Sequence, residues 1–259
     1  MDKKKVTYIG VTGVTSFKQV QSLSELFGLY NLNGYKLKIG ALTNSDTARG
    51  YDTEKRFAAR DKLKNIFCHD ENFNILHFTT ETPASLVEDL KLLWSHAGDH
   101  CHGVQLNVGF PSIEAIKQIK KICFNKSKRL VGLEISPAML KEYNPKQLVK
   151  RFEDYETRFY SIIDYVLLDC SSDKGKIIPV ERIRDYVYEI KAREFSFGLG
   201  LAGSLGPDNL LSIEDVVKRY PCLSIDAERG IKNYRGTLDE EKSFNYFDKA
   251  ADLYTLAAK

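Results

Sequence analysis

The sequence predicts an α/β protein: a (β/α)₈ TIM barrel of eight parallel strands with an enlarged loop after strand 2. Short apolar runs alternate with longer amphipathic segments along the chain, which is typical of βα units that build a parallel sheet. The 259 residues match the usual size of one barrel, about 250 residues. Glycine-rich turns follow the last two apolar runs. We therefore expect a single domain over residues 1–259.

Eight apolar runs are predicted to be the strands: Val6–Val11, Leu37–Leu42, Asn74–Thr80, Gly103–Val108, Arg129–Ile135, Tyr165–Cys170, Phe197–Ala202 and Cys222–Asp226. Helical patterns lie between them: Ser16–Phe27, Ala84–Ala97, Ile113–Cys123, Pro145–Tyr155, Pro179–Ala192, Asn209–Tyr220 and Asp239–Leu256. A doubly wound open sheet is the structural alternative. It would place its glycine-rich phosphate turn after the first strand, so the late position of these turns favours the barrel.

The turns after predicted strands seven and eight form a candidate phosphate site. In such barrels these loops and a helix N-terminus present backbone N–H groups to a phosphate dianion. Gly203 and Ser204 follow strand seven, while Arg229 and Gly230 follow strand eight. We expect Pro207–Asp208 in the first turn of a helix and a positive φ at Gly230. Glycines that only punctuate turns are the alternative, which two such turns in tandem disfavour.

Composition narrows the classes of function. The net charge of +3, from 38 basic and 35 acidic residues, does not indicate a nucleic-acid surface. No apolar stretch reaches the roughly 18 residues needed to span a bilayer. We expect a cytoplasmic monomer or homodimer with no nucleic-acid or membrane partner.

The cysteines and histidines do not favour a metal or a disulfide framework. The five cysteines are odd in number and form no CxxC pair. His96 and Asp99 lie close in sequence to His100-Cys101-His102 in a metal-like cluster, but neighbouring strand residues point to opposite faces. We expect no metal and no cofactor.

Residues 44–70 exceed the minimal βα pattern. The segment 44–50 is polar, and Thr53–Ile66 has the pattern of a charged helix. An enlarged loop over the barrel mouth and a solvated charged face are equally compatible with this pattern. Four cations of the segment are potential anion contacts: Arg49, Lys55, Arg56 and Arg60.

Three carboxylates stand at or just after predicted strand ends, where the reacting groups of barrel enzymes lie. They are Glu134, Asp169 and Glu228. Each is a candidate general acid or base if burial shifts its pKa. The alternative for each is that it only orients a neighbouring donor.

Several motifs resemble those of phosphoribosylanthranilate isomerases. Residues 202–210, AGSLGPDNL, are similar to that family's "GG-L-x-P-x-N-V" loop, and DAERGIK with GTLDEEK, at 226–232 and 236–242, resembles a later segment. Val104-Gln-Leu106 resembles the fourth strand "V-Q-L-H-G", and Leu167-Leu-Asp169 resembles the sixth strand "L-L-D". The order of these motifs is kept along the chain.

The resemblance implies an aldose-to-ketose isomerisation of a phosphorylated amino sugar. It implies that Asp169 is the general acid, and it places Thr12 where the family has a cysteine base. A threonine hydroxyl does not ionise near neutral pH, whereas a thiol can be tuned to do so. The implied substrate contacts are Gln105, Asn107 in place of the family histidine, and Lys174. Lys174 lies in the segment 172–176, which is placed like the mobile "G-G-x-G-K" loop of that family.

Two hypotheses therefore stand. The first is a metal-independent, isomerase-like or lyase-like enzyme acting on a phosphorylated metabolite, with Asp169 and either Glu134 or Glu228 in proton transfer. The second is a barrel that keeps its phosphate site without catalysis and serves as a metabolite sensor or binding subunit.

Overall fold

The computed structural model describes residues 6–257 except 31, 33, 52–53, 125–128, 157–160 and 172–178. Eight parallel strands close into a barrel in which each strand pairs with its neighbours in chain order and β8 returns to β1. The strands are β1 (Tyr8–Thr12), β2 (Lys36–Asn44), β3 (Phe73–Thr79), β4 (Gly103–Asn107), β5 (Leu130–Ile135), β6 (Tyr165–Asp169), β7 (Gly198–Ala202) and β8 (Ser224–Ala227). The predicted fold is confirmed.

The helices of the described residues surround the barrel: α1 (Phe17–Gly28), α2 (Ser45–Arg49), α3 (Leu63–Ile66), α4 (Leu86–Ala97), α5 (Ile113–Phe124), α6 (Pro137–Glu142), α7 (Pro145–Glu153), α8 (Val180–Lys191), α9 (Glu214–Arg219) and α10 (Glu240–Ala257). Because helices cover the outside and side chains fill the inside, nearly every strand residue is buried. This two-sided burial explains why the strands read as apolar runs.

The charged helix predicted for Thr53–Ile66 is mostly wrong. Only its last part is helical, as a 3₁₀ turn at Arg60–Lys62 followed by α3. Phe57 and Ala58 are buried instead, and the Ala58 N–H donates to the carbonyl of Leu42 at 2.9 Å. This hydrogen bond and the burial of Phe57 and Ala58 hold the loop against β2. A solvent-exposed helix over these residues could not make the same contacts.

The polar stretch before that loop forms the short helix α2, which was not predicted. The Asn44 side chain caps it by accepting from the Thr47 N–H at 2.8 Å, and the helix ends at Gly50 with φ of 79°. Capping by Asn44 and Gly50 thus stabilises this polar segment as a short helix beside the barrel mouth.

The barrel interior has an apolar floor. Tyr8, Phe73 and Tyr165 begin β1, β3 and β6, and with Ile75 they form a separate apolar cluster. Their ring centroids lie 5.4–5.9 Å apart. The floor closes the N-terminal end of the barrel, so polar side chains above it face only the opposite end.

Candidate active site at the barrel mouth

A chain of polar contacts, here called the interior network, lies above the floor. It consists of Lys38, His77, Gln105, Glu134 and Asp226, contributed by β2, β3, β4, β5 and β8. The Lys38 ammonium forms a salt bridge with Asp226 and donates to Gln105 Oε1 at 2.7 Å. Gln105 Nε2 donates to Glu134 Oε2 at 2.7 Å, and His77 Nε2 lies 3.1 Å from that oxygen. Every member is at most 5% exposed, so the network is largely shielded from bulk water.

Two strand-end residues extend the network toward the mouth. The Thr12 hydroxyl donates to Asp226 Oδ1 at 3.0 Å, and the Asn107 amide donates to Glu134 Oε1 at 2.9 Å. The proton of the Thr12 hydroxyl is thus engaged by a buried carboxylate. To act as a base, the hydroxyl would first have to lose this proton and carry negative charge beside Asp226, which disfavours such a role for Thr12.

The two carboxylates Glu134 and Asp169 have opposite pKa shifts. Burial alone would raise the pKa of Glu134, but His77, Lys38 and the Gln105 amide stabilise its charge and bring the pKa below its usual value. Burial raises the pKa of Asp169, and the negative charge of Glu134 raises it further against the hydrogen bond from the Ser171 N–H at 3.0 Å. Glu134 is therefore the group that holds charge, and Asp169 the group that favours its proton.

His77 shares the environment of Glu134. Burial lowers the pKa of its imidazole, but the Glu134 carboxylate outweighs burial and the net pKa lies above its ordinary value. The ring is thus electrostatically tied to Glu134.

One cavity at the C-terminal end of the barrel, here called the mouth pocket, reaches both carboxylates. It is lined by Thr12, His77, Glu134, Leu167, Asp169, Ser171, Ala202, Gly203, Ser204, Asp226, Glu228 and Arg229. The pocket therefore joins the top of the interior network to the loops that follow β7 and β8.

Those two loops meet backbone to backbone. A Cβ on Gly230 would lie 2.1 Å from the carbonyl oxygen of Leu205, and a Cβ on Gly206 would lie 2.7 Å from that of Gly230. Gly230 does not have the predicted positive φ; close approach is what requires glycine there. Positive φ occurs instead at Gly203, at 94°, and at Ser204, at 55°.

The predicted helix after β7 is shorter than its pattern indicated. Pro207 and Asp208 lie in a turn, followed by a 3₁₀ segment at Leu210–Ile213 and then α9. Asn209 explains the difference, because its side chain accepts from the Gly206 N–H at 2.9 Å and donates to the Ser204 carbonyl at 2.7 Å. These bonds hold the loop in a turn and compete with helix formation.

Comparisons with known proteins agree with this architecture. No family model matches the chain. The phosphoribosylanthranilate isomerase of Thermotoga maritima has a TM-score of 0.57 at 18% identity, over 95% of this chain and 98% of that one. The enzyme of Pyrococcus furiosus has a TM-score of 0.59 at 15% identity, over 95% and 99%. The chain has a phosphoribosylanthranilate isomerase-like fold. At these identities the likeness concerns the fold alone.

Other similar proteins carry different names. The tryptophan synthase alpha subunit of Legionella pneumophila str. Paris has a TM-score of 0.55 at 12% identity, over 97% of this chain and 93% of that one. Among curated proteins, collagen alpha-6(VI) chains of Mus musculus and Homo sapiens are each 24% identical over 94% of this chain. The chain spans only 11% of the length of these curated relatives.

The remaining predicted site residues fall into different environments. Gln105 is fully buried beneath the mouth pocket and does not line it. Glu228 lines the pocket but is held by Lys232, whose Nζ lies 2.7 Å from its Oε1. Arg229 is exposed at the pocket rim. Lys174 lies outside the described residues.

Sequence reasoning missed Lys38, His77 and Asp226 as site residues. A signal existed for two of them, because Lys38 and His77 lie within predicted strands whose other residues are mostly apolar. In a barrel such strands are buried on both faces, so a charged residue within one needs a buried partner. Asp226 is that partner for Lys38.

The other predicted polar clusters are engaged elsewhere. The guanidinium of Arg49 lies 3.5 Å from Asp89, and that of Arg60 donates to the Ala48 carbonyl at 2.8 Å. His100 and His102 lie 3.2 and 3.7 Å from the Asp70 carboxylate. Within the described ranges, no group of three His, Cys, Asp or Glu side chains is arranged to hold a metal ion.

No helix among the described residues is long and apolar enough to cross a membrane. The cytoplasmic location and the oligomeric state stay predictions.

Asp169→Asn is expected to increase the free energy of unfolding at neutral pH. Because folding raises the pKa of this carboxyl, its contribution to stability is fully present below the unfolded pKa, about 3.9, and is lost as the pH rises through the folded pKa. The amide avoids the cost of a buried charge and keeps an oxygen for the Ser171 N–H. Urea unfolding across this pH range measures the effect. A variant that is equally destabilised at neutral and acid pH would contradict it.

Proposed function

We propose that the chain binds a small phosphorylated metabolite at the mouth pocket and catalyses proton transfer on it, with Asp169 as general acid and Glu134 as general base. The observation that carries this proposal is the pair of opposite pKa shifts on two carboxylates of one pocket. Environments that drive two carboxyl pKa values apart are the usual basis of acid and base assignments. The raised pKa makes Asp169 the better candidate for holding a proton, and the lowered pKa makes Glu134 the better candidate for the ionised partner.

Glu134 is a better partner for Asp169 than Glu228. Glu134 is 5% exposed, and its Oε2 accepts from Gln105 and lies 3.1 Å from His77 Nε2. We assign the substrate-facing role to Oε1, to which Asn107 donates. Glu228 is one-third exposed and neutralised by Lys232. A buried, fixed carboxylate transfers a proton with less reorganisation than a partly solvated one.

The loops after β7 and β8 support the proposal that the ligand carries a phosphate group. Gly203 and Ser204 line the mouth pocket in a tight turn with positive φ angles, and turn backbone is a common source of N–H donors in phosphate sites. Arg229 is exposed and lines the same pocket, and it precedes Gly230, whose backbone packs against Leu205 of the β7 loop. Backbone donors and one guanidinium suit a phosphate dianion.

Deuterium exchange tests the proposed activity across a range of candidate substrates. A panel of aldose and ketose phosphates is incubated with the protein in D₂O. Proton NMR then follows the replacement of hydrogen by deuterium at the carbon next to the carbonyl carbon. We expect exchange for at least one phosphorylated sugar, and a rate about 10²–10⁴-fold lower for Asp169→Asn and for Glu134→Gln. Arg229→Ala should mainly raise KM.

The matched control is the same sugar without its phosphate, which should not exchange measurably. Exchange that is unchanged in both carboxylate variants would overturn the assignment of acid and base. Binding of inorganic phosphate, seen by ³¹P NMR, with no exchange across the panel would favour the second candidate.

That second candidate is a phosphate-binding barrel without catalysis. One observation favours it: the curated relatives that match 94% of the chain are named as collagen chains and not as isomerases. The threonine at position 12, bound to Asp226, is compatible with this interpretation because it supplies no base.

A further inference from the structure

We propose that Gln105 is a positioning residue that fixes the side chain of His77 in the neutral Nε2–H tautomer, so that the protonated ring nitrogen is the one beside the Glu134 carboxylate. The proposal deepens the proposed function, on which the role of Glu134 as base rests. Its evidence, however, is the hydrogen-bond chemistry of the interior network.

The orientation of the Gln105 amide follows from Lys38. An ammonium group has three donors and no acceptor, so the Gln105 atom 2.7 Å from Lys38 Nζ must be the oxygen. The Tyr165 hydroxyl also donates to this oxygen, at 3.4 Å. The reversed amide would place N–H groups against the ammonium and the oxygen against the Glu134 carboxylate. Both contacts would be repulsive.

The amide nitrogen then determines the state of the imidazole. Gln105 Nε2 lies 2.7 Å from Glu134 Oε2 and 3.3 Å from His77 Nδ1. An amide NH₂ has two donors and no acceptor, so His77 Nδ1 must offer its lone pair. The proton of the neutral ring is therefore on Nε2, which lies 3.1 Å from Glu134 Oε2.

This arrangement controls which oxygen of Glu134 is basic. Gln105 donates to Oε2 and His77 Nε2 lies 3.1 Å from the same oxygen, so Oε1, to which Asn107 donates, is the oxygen closer to the substrate side in this proposal. Adding a proton at His77 Nδ1 would set two N–H groups against each other, which works against the attraction of the Glu134 carboxylate that raises the pKa of the ring. Four charged or titratable groups interact electrostatically with the imidazole of His77: Glu134, Lys38, Glu228 and Asp169.

Nitrogen-15 NMR of the wild-type chain tests the proposal directly. At a pH above the His77 titration midpoint, which the same spectra locate, we expect the neutral ring to show a protonated Nε2 and an unprotonated Nδ1. His102 provides an internal reference, because its Nδ1 accepts from the Asn74 N–H at 3.1 Å and its neutral form also carries the proton on Nε2. An Nδ1–H tautomer of the neutral His77 ring would overturn the proposal, with no variant needed.

Gln105→Glu provides the second arm. A carboxylate at this position accepts from His77 Nδ1–H, so the His77 titration midpoint should rise by about 1–3 pH units. The midpoint of His102 should not move. An unchanged His77 midpoint in a folded variant would count against the proposal.

The two arms separate this inference from the proposed function. The Nε2–H tautomer together with no deuterium exchange would support the role of Gln105 in placing His77 and refute only the catalytic assignment. Exchange together with the Nδ1–H tautomer would refute the role of Gln105 alone.

Discussion

Lys38→Met is expected to reduce the free energy of unfolding by about 3–5 kcal/mol, the usual cost of leaving one partner of a buried ion pair alone. Lys38 is fully buried, and its ammonium pairs with Asp226, which is 3% exposed. After the substitution, the Thr12 hydroxyl would be the remaining side-chain donor to that carboxylate among the described residues. Gln105 Oε1 would also lose its strongest donor. Urea unfolding at neutral pH measures the loss.

The control is Lys218→Met, which removes an ion pair of similar length on the surface. Lys218 Nζ lies 2.6 Å from Glu214 Oε1, but both side chains are substantially exposed. We expect a much smaller change there, because water replaces the partner. Combining Lys38→Met with Asp226→Leu should cost less than the sum of the two single substitutions, since neither charge is then left alone. A Lys38→Met chain as stable as the Lys218→Met control would show that the interior charge is solvated.

Gly203→Ala should disrupt the mouth pocket and destabilise the chain. Gly203 has φ of 94°, and a Cβ there would lie 2.1 Å from Asp169 Oδ1 and 2.3 Å from the Ser171 nitrogen. These distances are far inside van der Waals contact, so the end of β6 and the turn after β7 would have to separate. Because Asp169 is the proposed acid, exchange activity should fall together with stability.

Gly109→Ala is the matched control for this prediction. Gly109 has a similar φ of 78°, but a Cβ there would meet nothing within 4 Å. Its cost should be the backbone strain alone, about 1–2 kcal/mol. Unfolding in urea then compares the two variants, and the excess cost of Gly203→Ala measures the clash with Asp169. Equal costs would mean that the loop yields freely and that Gly203 is required only for its φ.

The strand-end residues illustrate how far the sequence predicted the site. Eight apolar runs in order are sufficient to place Thr12, Glu134 and Asp169 at the same end of a barrel, because parallel strands share their direction. The order of the motifs likewise predicted that the turns after β7 and β8 meet. The short helix α2 and the turn held by Asn209 were not predicted, since single side-chain caps decided them.

The sequence by itself therefore determined the fold and the end of the barrel where polar groups collect. It also identified Asp169, the carboxyl whose pKa is raised, as a candidate general acid. Only the tertiary structure decided that Lys38 pairs with Asp226 and that His77 and Gln105 lie against Glu134. In the closed barrel, Lys38 pairs in register with Gly10 and Phe73, and Gly10 pairs with Asp226. These registers set the height and facing of each interior side chain. Register between strands far apart in the chain is a property of barrel closure, and no local pattern of residues encodes it.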